Sequence, residues 1–202
     1  AHPTGTADRA ASFTLKDGVG LYGGYAGLGA SDPDERDIDV LATALSGEIG
    51  TPNYSIDNSY HVVHGGSTGP TALLDGFTIT AGYASGGTYG DGGGGVYCSS
   101  ANPTLANCTI KGNSAHLCGG GVLCVYSSSP TLTNCAISGN SAATGGGVHC
   151  QDSSGPTLTG CTITGNTTVD LAGGGVCCDS SNPTFTNCTI KGHVAEGVGG
   201  GL

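Results

Sequence analysis

The second half of the chain is built from four near-identical units, each of which begins with a glycine-rich segment. The units start at Gly93, Gly119, Gly145 and Gly173, at spacings of 26, 26 and 28 residues, and a fifth begins 26 residues later at Gly199. Each unit reads approximately Gly-Gly-Gly-Val-x-Cys, a Ser-rich turn, and Pro-Thr-Leu-Thr-Asn-Cys-Thr-Ile-x-Gly-Asn-Ser-Ala. A fixed period of this length indicates one stacked structural unit per repeat.

Apolar and polar residues alternate within each unit, which is the pattern of β-strands and not of helices. Three short strands separated by turns predict one triangular coil. Stacking the coils places equivalent residues about 4.8 Å apart. The predicted inward columns, in which every position is apolar or Cys, are Val96/Val122/Val148/Val176, Cys98/Cys124/Cys150/Cys178, Leu105/Leu132/Leu158/Phe185, Cys108/Cys135/Cys161/Cys188 and Ile110/Ile137/Ile163/Ile190.

These columns predict an all-β protein, a right-handed parallel β-helix with about 26 residues per coil in its C-terminal half. Asn recurs at two bends of the repeat, where stacked amides can hydrogen-bond to one another along the axis. Asn also tolerates the left-handed backbone conformation that tight bends require. The two sets are Asn107/Asn134/Asn187 and Asn113/Asn140/Asn166.

The first ninety residues are interpreted as irregular coils of the same solenoid, so that residues 1–202 form a single domain with regular repeats at 91–202. Residues 74–79 align with residues 105–110, and strand-length runs also occur at 60–63, 42–45 and 12–15. The segment 27–39 is rich in Asp and Glu. We therefore predict a polar loop there, outside the stack.

Composition restricts the partners of the chain. It has 40 Gly, 10% charged residues and a formal charge of −10. This acidic balance argues against binding to nucleic acid or to an anionic membrane. No apolar run is long enough to span a bilayer, so no membrane insertion is expected in this segment. The chain starts at Ala1 without a signal peptide, so we expect a processed protein or an excised fragment.

Paired short motifs resemble those of a known group of proteins. Ile-x-Gly-Asn-Ser-Ala followed by Gly-Gly-Gly-Val, at 110–115 into 119–122 and at 137–142 into 145–148, is similar to the repeats of polymorphic outer-membrane adhesins of the autotransporter type. Residues 13–25, 35–37 and 75–80 resemble large bacterial secreted β-helix repeat proteins. The resemblance implies a secreted or surface β-helix with further coils on both sides, and it implies little about chemistry.

Eight cysteines occur in pairs, one pair in each unit: Cys98/Cys108, Cys124/Cys135, Cys150/Cys161 and Cys178/Cys188. This pattern predicts either one disulfide within each coil or two columns of buried thiols. Cys118 and Cys177 are left over. Ten cysteines in a Ser/Thr-rich, Lys-poor chain favour an extracellular or cell-surface location, which in turn favours the disulfides.

Catalytic and cofactor sites find little support in the sequence. Polysaccharide lyases and glycosidases of this fold need clustered acids on one outward face. The outward column is instead Tyr97/Leu123/His149/Cys177, and the column Lys111/Ser138/Thr164/Lys191 has no acid beside it. We therefore predict no enzyme activity, no cofactor and no metal site. Two alternatives are retained: a calcium ion at the acidic loop 32–39, and activity as a polysaccharide lyase or glycosidase. The six histidines, His2, His61, His64, His116, His149 and His193, share no metal-ligand spacing and are interpreted as incidental surface residues.

Threonines form a second outward pattern, at 131 and 133, 157 and 159, and 184 and 186, with Thr104 and Ala106 as an imperfect first row. Arrays of this kind occur on ice-binding β-helices, although exposed strands prefer threonine in any case. A carbohydrate-active enzyme or carbohydrate-binding module, with surface glycans as partners, is the alternative from another functional class.

The leading function is structural: a surface β-helix that serves as an adhesin-like stalk or as a filament subunit. Neither end of the sequence shows a helical cap, and open coil ends expose unpaired strand edges. Two ends of one solenoid share an outline, so we expect either head-to-tail self-assembly or further coils of a longer chain. The predicted assembly ends are Ala1, His2, Pro3, Gly199, Gly200, Gly201 and Leu202.

Overall fold

Short parallel strands build the molecule, and successive coils stack on one another. The structure is a computed structural model that describes residues 8–86, 91–169, 172–197 and 199–201. These described residues contain 23 short β-strands, one 3₁₀ turn at Ser55–Asp57 and no α-helix. None of their helices is long and apolar enough to cross a membrane.

The strands form four sheets, each of which runs along the axis with one strand per coil. Sheet 1 contains β1 (Phe13–Thr14), β4 (Val63–His64), β8 (Val96–Ser99), β12 (Val122–Val125), β16 (Val148–Cys150) and β20 (Val176–Cys178). Sheet 2 contains β2 (Gly20–Tyr22), β5 (Leu73–Asp75), β9 (Thr104–Ala106), β13 (Thr131–Thr133), β17 (Thr157–Thr159) and β21 (Thr184–Thr186). Sheet 3 contains β3 (Thr43–Ser46), β6 (Phe77–Thr80), β10 (Thr109–Lys111), β14 (Ala136–Ser138), β18 (Thr162–Thr164) and β22 (Thr189–Lys191). Sheet 4 contains β7 (Tyr83–Ala84), β11 (Ser114–Ala115), β15 (Ser141–Ala142), β19 (Thr167–Thr168) and β23 (Val194–Ala195).

The prediction of an all-β parallel solenoid is confirmed, but the prediction of three strands per coil is wrong. Sheet 4 is the additional side, and its strands are only two residues long. Ala84, Ala115 and Ala142 pack against one another beneath it in a small cluster of their own. A two-residue strand is too short to show alternation, and small side chains give little apolar signal, so the sequence pattern did not reveal this side.

One apolar core runs along the axis from Leu15 to Val176. The valines of sheet 1, Val96, Val122, Val148 and Val176, are at most 1% exposed. The structure places the other inward columns in the same core, with Leu105, Leu132, Leu158, Ile110, Ile137 and Ile163 at most 2% exposed. Phe185 and Ile190, in the last described coil, are partly buried against this core.

The glycine triplets mark the closest approach between the chain and its neighbouring coil. A Cβ added at Gly94 would overlap the carbonyl oxygen of Ser114, and one at Gly120 would overlap that of Ser141. The backbone therefore passes where only a hydrogen atom fits, which explains why the glycines recur in every unit.

The buried amides of Asn113, Asn140 and Asn166 form the ladder expected from the sequence. The backbone N–H and Nδ2 of Asn113 both donate to Oδ1 of Asn140, at 3.0 and 3.1 Å. Asn140 donates in the same way to Oδ1 of Asn166, at 3.0 Å for both contacts. All three side chains are at most 1% exposed. The ladder thus satisfies polar groups inside the stack, where they would otherwise be unpaired.

The two bends use different residues for the left-handed conformation. Asn107, Asn134 and Asn187 have φ values of 50°, 52° and 53°, as expected. At the ladder bend the expectation is wrong, because the glycine before each ladder position adopts positive φ instead. These glycines are Gly112, Gly139, Gly165 and Gly192.

The N-terminal coils follow the predicted alignment. Leu74 pairs with Leu105, and Ile79 pairs with Ile110. The 27–39 loop is exposed, but Arg36 fastens its base to the stack. Nε of Arg36 donates to the carbonyl of Gly23 at 2.9 Å, and Nη2 forms a 2.9 Å ion pair with Asp75.

Candidate functional site

The threonines of sheet 2 lie on its outer side, where those of successive strands are in register. Thr131 pairs with Thr157, which pairs with Thr184, and the second column runs through Thr133, Thr159 and Thr186. Thr104 and Ala106 complete four rows, so seven of these eight positions are threonine. Thr157, Thr184 and Thr186 are exposed, and the remaining members are partly exposed. The surface is flat, uncharged and regular at the spacing of neighbouring strands, about 4.8 Å.

Sheet 3 carries two of the three lysines on its outer surface. Lys111, Ser138, Thr164 and Lys191 form one registered column, as the alternation predicts, and both lysines are exposed. Across the four regular coils, the outward columns of sheets 2 and 3 contain no carboxylate.

The outer side of sheet 1 differs from the prediction, because three of its four outward residues are buried and the fourth, Cys177, is partly buried. Tyr97 is 9% exposed, Leu123 4% and His149 6%. Gly92 and Cys118, in the loops that precede the glycine triplets, lie against Leu123 and cover the sheet. The interpretation of His149 as an incidental surface residue is therefore wrong. Alternation distinguishes the two sides of a strand, but it does not reveal that a loop covers the outer side.

A small apolar cluster lies under these loops and contains Tyr97, Leu123, Val125 and Cys118. Next to it is a cavity of about 60 Å³, whose lining includes Tyr126 and the polar side chains of Asp91 and Gln151. Sites for small molecules are commonly about 300–1,000 Å³. The cavity is therefore too small to enclose a sugar ring, although it adjoins an exposed aromatic side chain.

His61 stacks on Tyr97 with ring centres 4.6 Å apart and planes 14° apart. Its Nδ1 lies 3.1 Å from the carbonyl oxygen of Gly93, so this nitrogen carries the proton. Burial lowers the pKa of His61 to about 4. The ring is therefore neutral near pH 7 and serves as a packing element of the outer cluster, so the surface interpretation of this histidine is also wrong.

Two further histidines, His64 and His116, lie in different surroundings. Nδ1 of His64 accepts a 2.9 Å hydrogen bond from the N–H of Gly66, and burial lowers the pKa of this ring. His116 is exposed. His2 lies outside the described residues. Within the described ranges, no group of three or more His, Cys, Asp or Glu side chains is arranged to hold a metal ion.

The acidic side chains of the 32–39 loop are used locally. Asp32 accepts from the N–H of Asp34, and Asp37 accepts from the N–H groups of Asp39 and Val40. These contacts are the ordinary ones by which Asp stabilises turns. The calcium site at this loop stays a prediction without support from the geometry.

All ten cysteines are described and all ten are free thiols, so the prediction of one disulfide within each coil is wrong. Along sheet 1, Cys124 is in register with Cys98 on one side and with Cys150 on the other. Interactions between sulfurs likewise run along each column and not across a coil. The structure therefore has the thiol columns, the other alternative left open by the sequence. The members of the predicted pairs, all of them free, are Cys98, Cys108, Cys124, Cys135, Cys150, Cys161, Cys178 and Cys188.

The thiol columns are buried in the middle of the stack and less so in its last described coil. Burial raises the pKa of Cys98 to about 12, so this thiol is protonated. Cys188 is only partly buried, and its Sγ donates to the carbonyls of Leu158 and Thr186, at 3.3 and 3.4 Å. Cys178 is exposed. The expectation of a buried pair is therefore wrong for Cys178 and Cys188. Cys178 ends β20 and Cys188 directly precedes β22, and these are the outermost described strands of sheets 1 and 3.

The outermost described coils expose residues of columns that are buried in the middle of the stack. Leu21 is the counterpart of Leu74 and is 40% exposed, whereas Leu74 is fully buried. At the other end, Cys178 is exposed, whereas Cys124 and Cys150 in the same column are fully buried. Among the predicted assembly ends, Gly199 and Gly200 stack on the fourth triplet, where they accept hydrogen bonds from Gly173 and Gly175. Gly201 accepts one from Val176. Ala1, His2, Pro3 and Leu202 lie outside the described residues.

Comparison with protein families agrees with this geometry. Residues 54–201 match a family described as right-handed β-helix region, and this match covers more than half of the chain. The chain belongs to the right-handed β-helix family. As a right-handed β-helix protein, it has a fold that is consistent with a surface or structural role. Neither the curated proteins nor the solved structures contain a match to it.

The sequence contains a signal for one further member of the amide ladder. His193 follows Lys-Gly in the fourth unit, as Asn113 does in the first, so it occupies a ladder position. The contact confirms this, because the N–H of Asn166 donates to Nδ1 of His193 at 3.1 Å. The outer cluster of sheet 1 had a weaker signal, the large apolar residues Tyr97 and Leu123 at outward positions.

Proposed function

We propose that this chain is a structural segment of an extracellular or cell-surface β-helix, a rigid stalk whose coils stack end to end. The observation that carries the proposal is the exposure of core columns at both outer coils. An apolar cross-section and open strand edges attract another layer of the same outline. In a filament that layer is the end coil of a second copy, and in a longer stalk it is a neighbouring coil of the same protein.

The composition of the coils supports a mechanical role and not catalysis. Four regular coils repeat the same buried columns, and the outward columns of sheets 2 and 3 vary little from coil to coil. A repeating surface suits lateral contact or simple extension. The resemblance to autotransporter-type adhesins supports a bacterial surface origin as part of the same proposal.

End-to-end stacking is tested by placing charge on the exposed edge. Val194 lies in β23, the outer strand of sheet 4, and is 57% exposed. Lysine on an edge strand opposes pairing with another strand. We expect light scattering to show mass that grows with the concentration of the parent chain, elongated particles in negative-stain images, and loss of both in Val194→Lys.

A matched control separates edge blocking from a general effect of charge. Val169 is similarly exposed, at 48%, but it follows β19 in the interior of the stack, so Val169→Lys should assemble like the parent. A parent chain that stays monomeric at every concentration overturns self-stacking. Equal assembly in the parent and in Val194→Lys overturns the placement of the contact on this edge.

A second function, binding to an ordered crystalline surface such as ice, is favoured by the registered threonine array of sheet 2. Its two columns offer a methyl and a hydroxyl group at every position except Ala106. A flat and rigid array can match a repeating lattice without reorganisation, which lowers the cost of binding.

Ice binding is tested by Thr157→Lys, which places a long charged side chain in the centre of the array. Ser138→Lys is the control, because it adds the same charge to sheet 3, where Lys111 and Lys191 already occupy the same column. We expect inhibition of ice recrystallisation by the parent and the control, and loss in Thr157→Lys. No inhibition by the parent chain excludes this function.

A further inference from the structure

The buried ladder of Asn side chains has a histidine at its last described position, or rung. Asn113, Asn140 and Asn166 occupy this position in three coils, and His193 occupies it in the fourth. The first and fourth units even share the preceding Lys-Gly pair. Among these four rungs, only the imidazole can gain a proton near physiological pH.

The hydrogen bond with the coil beneath determines which ring nitrogen of His193 carries the proton. The backbone N–H of Asn166 donates to Nδ1 of His193 at 3.1 Å, so Nδ1 must present a lone pair. A neutral ring then carries its proton on Nε2. This Nε2 is buried against Gly175 and has no hydrogen-bond partner. The folded coil therefore accepts one protonation state and one tautomer.

A second proton would have to enter at Nδ1. The protonated Nδ1–H would face the N–H of Asn166, and two donors cannot share one hydrogen bond. The ring would lose its contact with the coil beneath, and a buried backbone N–H would lose its acceptor. An Asn at this rung keeps its carbonyl oxygen at every pH in this range, so the three other rungs are insensitive.

The surroundings of the ring offer little compensation for a positive charge. Lys191 on β22 and Glu196 after β23 are the nearest charged side chains along its own coil, and both are exposed. The turn before β20 presents the backbone of Gly174 and Gly175, and the turn before β19 presents Asn166. Burial lowers the pKa of His193 below 6.5, against smaller raising effects from the backbone of Ile163 and Asn166.

We propose that protonation of His193 releases the coil formed by residues 173–197 from the coil beneath it, so that the stack opens locally when the pH falls. The direction of the pH effect follows because the folded coil accepts only the neutral ring. The stability that this contact contributes is complete above the pKa of the ring in the unfolded chain, and it decreases as the pH falls below that pKa towards the lower pKa of the folded ring. The opening exposes the edges of β18 and β19, which are paired with β22 and β23 at neutral pH. This inference does not depend on end-to-end assembly.

Hydrogen exchange measured by mass spectrometry at pH 7.5 and 5.0, corrected for intrinsic exchange rates, tests the proposal. Between these values, protection of amides in residues 189–197 should fall roughly 2- to 10-fold, which corresponds to one net hydrogen bond. Protection in residues 136–142 should change much less. Histidines elsewhere in the chain also respond to acid, so variants are needed to assign the local effect.

His193→Asn restores the ladder residue of the other coils, and we expect it to remove the local pH dependence. His193→Gln keeps a side-chain acceptor and serves as a second pH-insensitive variant if the first folds poorly. His116→Asn removes an exposed histidine from the first unit and should behave like the parent. Equal pH dependence in the parent and in both His193 variants overturns the proposal, as does a parent coil whose protection does not change.

Discussion

Nδ2 of Asn113 donates a hydrogen bond of 3.1 Å to Oδ1 of Asn140 in the next coil, and the backbone N–H of Asn113 donates to the same oxygen at 3.0 Å. One carbonyl oxygen therefore serves two buried donors. Nδ2 of Asn140 donates in turn to the carbonyl of Ile110 at 3.0 Å. Asn140 therefore bonds to the coil of Asn113 and Ile110 on one side and, through Oδ1 of Asn166, to the coil on the other side.

Replacing Asn140 by Ala should destabilise the protein by about 2–5 kcal/mol, because two buried donors of Asn113 lose their acceptor at about 1–3 kcal/mol each. Thermal and urea unfolding followed by circular dichroism measure the change. Asn134→Gly is the control. Gly160 already occupies the equivalent bend with φ of 64°, so this change should have a small effect. Equal stability of Asn140→Ala and the parent would contradict the importance of the ladder.

Ile137→Ala should cost about 2–5 kcal/mol, since the side chain is fully buried in the middle of the stack. Ile137→Asp should prevent pairing with the coils on both sides. Ser138→Asp, one residue away on the outer side of the same strand, should change stability by at most about 0.5 kcal/mol. Urea unfolding compares the three variants. If the two Asp variants were equally stable, the inward and outward assignment would be wrong by one residue.

Because all ten cysteines are free thiols, alkylation of the unfolded chain without reductant should label all ten. Intact mass spectrometry measures the number of labels. In the native protein, exposed Cys178 should react sooner than Cys98, Cys124 and Cys150, because these three side chains are fully buried and the reagent cannot reach them. Eight cysteines that become reactive only after reduction would instead favour the disulfides within coils.

Stability should fall in acid through His61. Burial holds the folded pKa near 4 against 6.5 for the unfolded ring, so stability is complete above about pH 6.5 and is lost as the pH falls towards 4. The loss that His61 contributes amounts to about 3 kcal/mol at the acid limit. Urea unfolding at several pH values should show a smaller dependence in His61→Gln than in His116→Asn. Identical profiles for the two variants would rule out His61 as the source.

Arg36→Ala should loosen the 27–39 loop without unfolding the stack. It removes the 2.9 Å contacts with Gly23 and Asp75, and the guanidinium is only partly buried, so the global cost should be about 1 kcal/mol or less. Limited proteolysis should cut the loop faster in the variant. Arg36→Lys keeps the charge but loses the two-pronged geometry, and it should behave like Arg36→Ala. An unchanged cleavage rate would show that Arg36 does not fasten the loop.

The inward columns were predictable from the sequence because period-two alternation and the 26-residue spacing both constrain them. Leu132 and Ile137 therefore lie where the pattern placed them, at most 2% exposed. Sheet 4 was missed because Ser114–Ala115 is too short for alternation to appear. The direction of the cysteine sulfurs depends on how the bends close, and a spacing pattern does not determine whether neighbours lie within a coil or along a column.

The outer surfaces were predicted less completely. The threonines of sheet 2 lie outside, as expected, and all of them are exposed or partly exposed. Tyr97 and His149 also point outward, but the loops before the triplets lie over them. Whether an outward side chain reaches solvent is decided by contacts between loops of different coils, and a pattern read within one strand contains no information about these contacts.

The close approach of the glycine triplets fixes the length of the stack in steps of one repeat. Gly95 donates to the carbonyl of Gly120, Gly121 to that of Gly146, and Gly147 to that of Gly174, so successive regular coils meet through the same junction. Removing residues 119–144 joins Cys118 directly to Gly145 and leaves an equivalent junction in its place. The rod should then shorten by about 4.8 Å, one strand spacing, and keep its register. Length can therefore change in whole steps of one repeat, whereas a change of one or two residues at the triplets would shift a backbone that has no room to move.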